Sequence, residues 1–245
     1  MKTLKCILST ILLLSITGYL QARPFSNARL MMSETSDRHL SGFNAIDLAG
    51  PFDVYIKQGS TESVNVDAPH DVIDRVITEV NNGILKIYTR HDTWNWGNWW
   101  GNHKKIIVYV EVKDINSINI SGSGDIYFKE GITANSLKLR ISGSGDILGK
   151  VNVKMLDSSI SGSGDMKLWG KAEESTVRIV GSGDFTAHDL VTISTNVHLT
   201  GSGDARINAS EKIAATVNGS GDVHYSGAAR NISSSKSGSG DISRD

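Results

Sequence analysis

Seven copies of the tetrapeptide Gly-Ser-Gly-Asp recur in the second half of this 245-residue chain, between Gly122 and Asp241. Successive aspartates are 18 to 21 residues apart, and they are Asp125, Asp146, Asp165, Asp184, Asp204, Asp222 and Asp241. A repeat of about 19 residues is typical of a solenoid, in which each repeat forms one coil. The spacing therefore constrains the architecture more strongly than it constrains the chemistry.

Apolar and polar residues alternate ahead of each tetrapeptide. An apolar side chain stands two residues before the first glycine in six of the seven copies, as Ile120, Ile141, Ile160, Ile179, Leu199 and Val217. Alternation with a period of two is the pattern of a β-strand that buries one face. Another apolar residue directly follows each aspartate, so a second inward-facing strand is expected to start just after each glycine corner.

Stacking of these units predicts the fold. One strand-corner-strand unit cannot bury its apolar edge, whereas parallel stacking at about 4.8 Å per coil builds a continuous narrow core. The chain is therefore predicted to be all-β, a parallel β-helix with coils of about 19 residues and a Gly-Ser-Gly-Asp corner in each. Right-handed winding is expected, because parallel crossover connections nearly always take that hand.

The N-terminus has the features of a signal peptide over residues 1–22. Lys2 and Lys5 precede an apolar run that is short for a membrane span, and a cleavage site ends at Ala22. The single cysteine, Cys6, lies within this segment, so the mature protein is expected to lack disulfides. We expect an extracytoplasmic protein, in the periplasm, on the outer surface or secreted, with no integral membrane segment in the mature chain.

Three further segments follow the signal peptide. Residues 23–40 are polar and aperiodic and are predicted to be a flexible leader. Residues 41–115 are predicted to form short strands that cap or continue the stack, with a Trp-rich loop at 91–103. Residues 116–245 are predicted to be the repeat β-helix. The formal net charge of −1 supplies no basic field, so a nucleic-acid partner is excluded.

The aspartate column is the first candidate site. Carboxylates stacked at about 4.8 Å repel each other by roughly 0.9 kcal/mol per neighbouring pair even in bulk water, so something must offset the repulsion. Hydrogen bonds from backbone amides within each corner would do so. Calcium would also do so, because it prefers oxygen ligands, but the repeats that bind calcium in toxins have a different pattern. We predict no cofactor and no metal site.

The second candidate site is the Trp-rich loop, which holds four of the five tryptophans among glycines and asparagines. A tryptophan in a polar loop presents a flat, amphipathic ring that can stack on a sugar or anchor a partner. The rings could instead fold back over the end of the β-helix or mediate self-association. The predicted ligand-binding residues are Trp94, Trp96, Trp99 and Trp100.

Three parts of the chain together resemble a known family. They are the alternating stretch Phe43–Val66, the segment Val76–Tyr88, and the repeats that begin at Ser121–Asp125. In this order they resemble the head GIN domain family of auto-transporter adhesins, and the resemblance runs from about residue 42 to 225. It implies an extracytoplasmic β-helical protein, mostly found in Bacteroidetes-type bacteria.

The expected function is that of a secreted or cell-surface, non-catalytic binding protein, an adhesin whose β-helical scaffold contacts a glycan or a surface protein. A self-associating structural envelope protein is the alternative. A polysaccharide lyase or hydrolase is the second alternative, but catalytic carboxylate pairs need unequal environments, and the repeated aspartates occupy equivalent corners. We therefore do not expect an enzyme.

Overall fold

The computed structural model describes residues 33–90 and 105–245, and the regular structure in these ranges is almost entirely β-strand. The strands of the N-terminal part are β1 (Ser33–Asp37), β2 (Ala45–Ala49), β3 (Asp53–Gln58), β4 (Ser63–Pro69), β5 (Val76–Asn81), β6 (Ile84–Thr89), β7 (Ile107–Val112) and β8 (Ser117–Gly122). One turn of 3₁₀ helix, Ile73–Arg75, connects β4 to β5. No helix in the described ranges has the length and apolar character of a membrane span.

The repeats form a parallel β-solenoid. Its strands are β9 (Asp125–Gly143), β10 (Ile147–Gly162), β11 (Met166–Gly181), β12 (Phe185–Gly201), β13 (Ala205–Gly219), β14 (Val223–Ser226), β15 (Asn231–Gly238) and β16 (Ile242–Arg244). Each of β9 to β13 runs through most of one coil and pairs in parallel with the next coil. The all-β, parallel β-helix prediction is confirmed, with about seven turns about 19 residues apart. The right-handed winding stays a prediction.

Equivalent residues of successive coils stand opposite each other. Ile160 is in register with Ile141 on one side and with Ile179 on the other. The whole predicted inward column is at most 1% exposed, and its members are Ile120, Ile141, Ile160, Ile179, Leu199 and Val217. The core is therefore a narrow stack of aliphatic side chains along the solenoid axis.

The N-terminal part continues this stack. β2 pairs in parallel with β8, and β3 pairs in parallel with β9, so both sides of the first repeat coil are extended without a break. β6 lies beside β2 and β7 lies beside β3, also in parallel. The antiparallel strands β4 and β5 then pair with β7 and β6, so the pairing direction changes beyond these strands.

Strand β1 lies in the segment predicted to be a flexible leader. It pairs antiparallel with β4, and the backbone N–H of Arg38 donates to the Val64 carbonyl at 2.9 Å. The Arg38 guanidinium also donates to the Ile73 carbonyl at 2.8 Å. The sequence of β1, Ser-Glu-Thr-Ser-Asp, has no alternation of apolar residues. This strand is therefore held by backbone pairing and not by a buried face.

Each corner requires both of its glycines. A Cβ at Gly181 would lie 2.2 Å from the backbone oxygen of Gly162 in the preceding coil. Gly181 has a φ of 130°, a conformation that glycine adopts without a Cβ penalty. Gly183 has an ordinary φ, but a Cβ there would lie 2.1 Å from the backbone oxygen of Gly164 in the preceding coil. The tetrapeptide thus permits both the turn and the close approach of successive coils.

Candidate functional site

The aspartate column is a ladder of hydrogen bonds between coils. The backbone N–H of Asp146 donates to Oδ1 of Asp125 at 3.0 Å, and the backbone N–H of Asp165 donates to Oδ1 of Asp146 at 2.8 Å. The same bond joins every later pair of corners up to Asp241, at 2.7 to 2.9 Å. The predicted partner, a corner amide, is therefore correct in kind, but it belongs to the next corner along and not to the same one.

This arrangement uses the aspartates as structural side chains. In each of these bonds one carboxylate oxygen accepts from a backbone amide. A hydrogen bond to a charged acceptor is stronger than one to a neutral acceptor. Across residues 33–90 and 105–245, no group of three or more His, Cys, Asp or Glu side chains is placed to hold a metal ion. The ladder thus offsets the carboxylate repulsion by hydrogen bonding along the stack.

We expect Asp146→Asn to raise the free energy of unfolding near pH 7 by a few tenths of a kcal/mol to about 1 kcal/mol. Desolvation raises the pKa of Asp146, the Asp125 and Asp165 carboxylates add to the rise, and the hydrogen bond from the Asp165 amide opposes it. Asparagine removes the charge and keeps an oxygen acceptor for that amide. Urea denaturation of both proteins measures the difference.

The pH dependence gives the matched control for this substitution. Because the folded-state pKa is raised, the contribution of Asp146 to stability is complete below its ordinary value of 3.8 and is lost as the pH rises through the folded value. The advantage of the Asp146→Asn protein should therefore shrink on acidification. An Asp146→Asn protein that is less stable than the native protein near pH 7 would show that the charge itself is stabilising.

The four predicted ligand-binding tryptophans, Trp94, Trp96, Trp99 and Trp100, lie outside the described residues. Their role in binding stays a prediction. The strand that follows their segment is β7, and the side chain of Lys105, just before β7, donates to Oδ2 of Asp53 at 2.9 Å.

Three tyrosines that sequence reasoning did not single out lie side by side on the outer face of the sheet. Tyr55 of β3 is in register with Tyr109 of β7 and with Tyr127 of β9. The ring centroids of Tyr55 and Tyr127 are 4.9 Å apart with planes inclined by 21°, and those of Tyr55 and Tyr109 are 5.7 Å apart at 26°. We call these three residues the tyrosine row.

The rings of the tyrosine row overlap only in part. Their centroid separations exceed the contact distance of about 3.5 Å between carbon atoms, as in offset stacking. Tyr55 and Tyr109 are 37% and 46% exposed, respectively. Cross-strand aromatic pairs stabilise a sheet by about 0.2–1 kcal/mol, which explains why the rings stack. This stabilisation does not require the rings to be exposed to solvent.

Polar contacts hold one end of the tyrosine row in place. The Tyr127 hydroxyl donates to Oδ2 of Asp125 at 3.1 Å, and Asp125 stands in register with Asp53. Burial raises the pKa of Tyr127 well above its ordinary value, and the Asp125 carboxylate adds to the rise. The phenol therefore stays neutral and keeps its donor role over the whole physiological pH range.

An open cavity of about 450 Å³ lies against the tyrosine row. Besides the rings it is lined by the charged residues Lys57, Glu111, Lys129 and Glu130, and by Ile56, Ser63 and Val110. Sites for small molecules commonly have volumes of about 300–1,000 Å³, with aromatic walls and a few polar groups that fix orientation. The arrangement can bind a partner through apolar ring surface and hydrogen bonds together, and this makes it the candidate site.

One sequence signal could have placed these tyrosines outside. Tyr55 and Tyr109 occupy polar positions of alternating strands, since Val54 and Ile56 flank the first and Val108 and Val110 flank the second, all buried. The sequence could not predict that these tyrosines lie side by side, because this depends on the position of β3 between β7 and β9 in the sheet.

Comparison with known proteins agrees with this fold. Residues 42–229 match the family model described as "Putative auto-transporter adhesin, head GIN domain". Comparison with functionally curated proteins gives no significant match.

Solved structures of similar shape include proteins of Bacteroides and Parabacteroides species. An adhesin-named protein of Bacteroides fragilis has a TM-score of 0.81 and 25% identity, over 87% of this chain and 97% of that one. A protein of Parabacteroides distasonis named as lipid binding has a TM-score of 0.71 and 23% identity, over 87% and 96%. An adhesin-named protein of the same species has a TM-score of 0.70 and 22% identity, over 87% and 97%. The family model covers most of the chain, and the fold of the chain is the fold of these structures. The chain therefore belongs to the head GIN domain family.

Proposed function

We propose that this protein is an extracytoplasmic, non-catalytic binding protein of adhesin type, and that the outer face of β3, β7 and β9 contacts its partner, a glycan or a surface protein. The observation that carries the proposal is the exposed tyrosine row beside an open cavity. Aromatic rings are enriched where proteins bind partners, because each supplies a large contact area at little cost in conformational entropy. The adhesin names of the family and of its structural relatives support the same role.

The aspartates support a non-catalytic role. Six successive corners repeat one hydrogen bond between a carboxylate and a backbone amide, so these carboxylates share one structural task. Acid-base catalysis by carboxylates needs two groups whose environments push their pKa values apart. In this column each acceptor carboxylate instead holds the backbone amide of the next corner.

The tryptophans form the second part of the proposal. Trp94, Trp96, Trp99 and Trp100 are proposed to add contact area for the partner, on the ground of their density in a Gly- and Asn-rich segment of the sequence. Self-association through the same segment is the competing proposal, and it predicts a mass that rises with concentration.

The test is a binding screen of the mature protein by surface plasmon resonance against a glycan array, collagen and fibronectin. We expect at least one of these probes to bind, and Tyr55→Ser/Tyr109→Ser to weaken that binding by about tenfold or more. The matched control is Val180→Ser, because Val180 is 56% exposed on β11, away from the tyrosine row. The control should bind within about twofold of the native protein.

A third variant with Trp94, Trp96, Trp99 and Trp100 changed to alanine separates the two parts of the proposal. Loss of binding in this variant supports the tryptophan contact. Unchanged binding restricts the contact to the sheet. Binding that survives in the tyrosine variant, or the absence of binding to every probe, would contradict the assignment of the tyrosine row as the contact surface.

A further inference from the structure

The cavity beside the tyrosine row has a second wall made of charged side chains. Lys57 and Glu111 are register partners on β3 and β7, each two residues beyond Tyr55 and Tyr109. Lys129 stands two residues beyond Tyr127 on β9. The cavity therefore has an aromatic row on one side and a row of charged groups one step along the strands.

The charged side chains that line the cavity do not form ion pairs with each other. None of Lys57, Glu111, Lys129 and Glu130 forms an ion pair with another described residue. The Lys129 ammonium lies 5.7 Å from the centroid of the Tyr127 ring, so it is held over the end of the tyrosine row. The Glu111 carboxylate lies beside Gly59, which follows Lys57 by two residues in the chain.

The charge balance of this wall restricts the ligand. Two ammonium groups offer only donors and two carboxylates offer only acceptors, so the charges of the wall sum to zero. A ligand with a net charge would be attracted by one pair and repelled by the other. Hydroxyl groups both donate and accept, so a neutral ligand rich in hydroxyls satisfies both kinds of side chain at once.

The aromatic wall of the cavity restricts the kind of ligand further. The partly open ring surfaces of Tyr55 and Tyr109 match an apolar face, and they match it best when the same ligand carries polar groups at its edge. A sugar ring has this combination of an apolar face and a hydroxyl-bearing edge. The volume of about 450 Å³ lies within the range of small-molecule sites of about 300–1,000 Å³.

We propose that the cavity between the tyrosine row and the charged residues Lys57, Glu111, Lys129 and Glu130 is a binding site for a neutral oligosaccharide. The sugar ring packs on Tyr55 and Tyr109, and its hydroxyls donate to Glu111 and accept from the two lysines. This inference rests on the proposed function, because it names the ligand class of the same surface.

The test is isothermal titration calorimetry of the mature protein with maltohexaose, mannohexaose, xylohexaose and chitohexaose, and with hexagalacturonate as the acidic counterpart. We expect at least one neutral probe to bind, and its affinity to change less than about twofold between about 50 mM and about 500 mM NaCl, since a neutral ligand is little affected by screening. Glu111→Gln and Lys57→Met should each weaken binding by about tenfold, and Tyr55→Ser/Tyr109→Ser by more. Val180→Ser is the control for all three.

The possible outcomes separate this inference from the proposed function. Tyrosine-dependent binding to collagen or fibronectin with no binding of a neutral sugar would overturn the inference and leave the function standing. Binding of hexagalacturonate alone, with strong dependence on salt, would overturn the neutral-ligand assignment. A neutral sugar that binds equally well to the native protein and to the Glu111, Lys57 and tyrosine variants would place the site elsewhere.

Discussion

Gly183→Ala is expected to lower the free energy of unfolding by about 4 kcal/mol or more, which is a large share of the stability of an ordinary domain. The new Cβ would lie 2.1 Å from the backbone oxygen of Gly164 and 2.9 Å from Cγ2 of Ile160. Neither atom can withdraw cheaply, because Gly164 donates its own N–H to the Gly143 carbonyl at 3.2 Å and Ile160 is fully buried. Thermal and urea unfolding monitored by circular dichroism measure the effect.

The matched control lies one residue earlier in the same corner. Ser182 is exposed, and its N–H donates to the Gly162 carbonyl at 2.9 Å, a bond that alanine keeps. Ser182→Ala should therefore change the stability by no more than about 0.5 kcal/mol. A Gly183→Ala protein that unfolds within about 1 kcal/mol of the native protein would show that successive coils can move apart, against the close stacking described above.

Phe128→Ala is expected to cost about 3–5 kcal/mol, the usual range for loss of a buried phenylalanine. Phe128 is fully buried and stands in register with Gly149 of the next coil. A Cβ at Gly149 would lie 2.0 Å from Cδ2 of the Phe128 ring, so the large side chain fits only because its neighbour has none. The free energy of unfolding from urea denaturation measures the loss.

A double-mutant cycle checks the cause of this loss. Gly149→Ala alone should destabilise the protein, because its methyl group overlaps the Phe128 ring. In the Phe128→Ala background the same methyl group enters the vacated space, so the double variant should be more stable than the sum of the single effects by about 1 kcal/mol or more. Strictly additive effects would mean that the two residues do not share this space.

The fold of the repeats could be predicted because the chain repeats its own geometry. Ile141, Ile160 and Ile179 occupy the same position of successive coils, so one alignment of the tetrapeptides gives the strand register and the core. The glycines mark the corners for a steric reason that holds in every coil. The alignment does not tell which corner provides the amide for a given carboxylate. It therefore could not show that each aspartate accepts from the amide of the next corner.

The tyrosine row could not be predicted in the same way. Tyr55 and Tyr109 lie in strands outside the repeats, and β7, which places Tyr109 beside Tyr55, follows β3 in the chain only after β4, β5 and β6. No spacing in the sequence encodes that order. Strand β1 was missed for another reason, because its pairing with β4 uses backbone groups and leaves no pattern in its side chains.

Binding of the partner at the tyrosine row can be observed residue by residue by ¹⁹F NMR of the protein labelled with 3-fluorotyrosine. The described tyrosines include Tyr88 and Tyr225, which lie outside the row and serve as internal controls. On addition of the probe that binds in the screen, the resonances of Tyr55 and Tyr109 should shift, while those of Tyr88 and Tyr225 stay in place. Shifts confined to Tyr88 or Tyr225, or no shift at Tyr55 and Tyr109 at a saturating concentration of the probe, would show that the partner binds elsewhere.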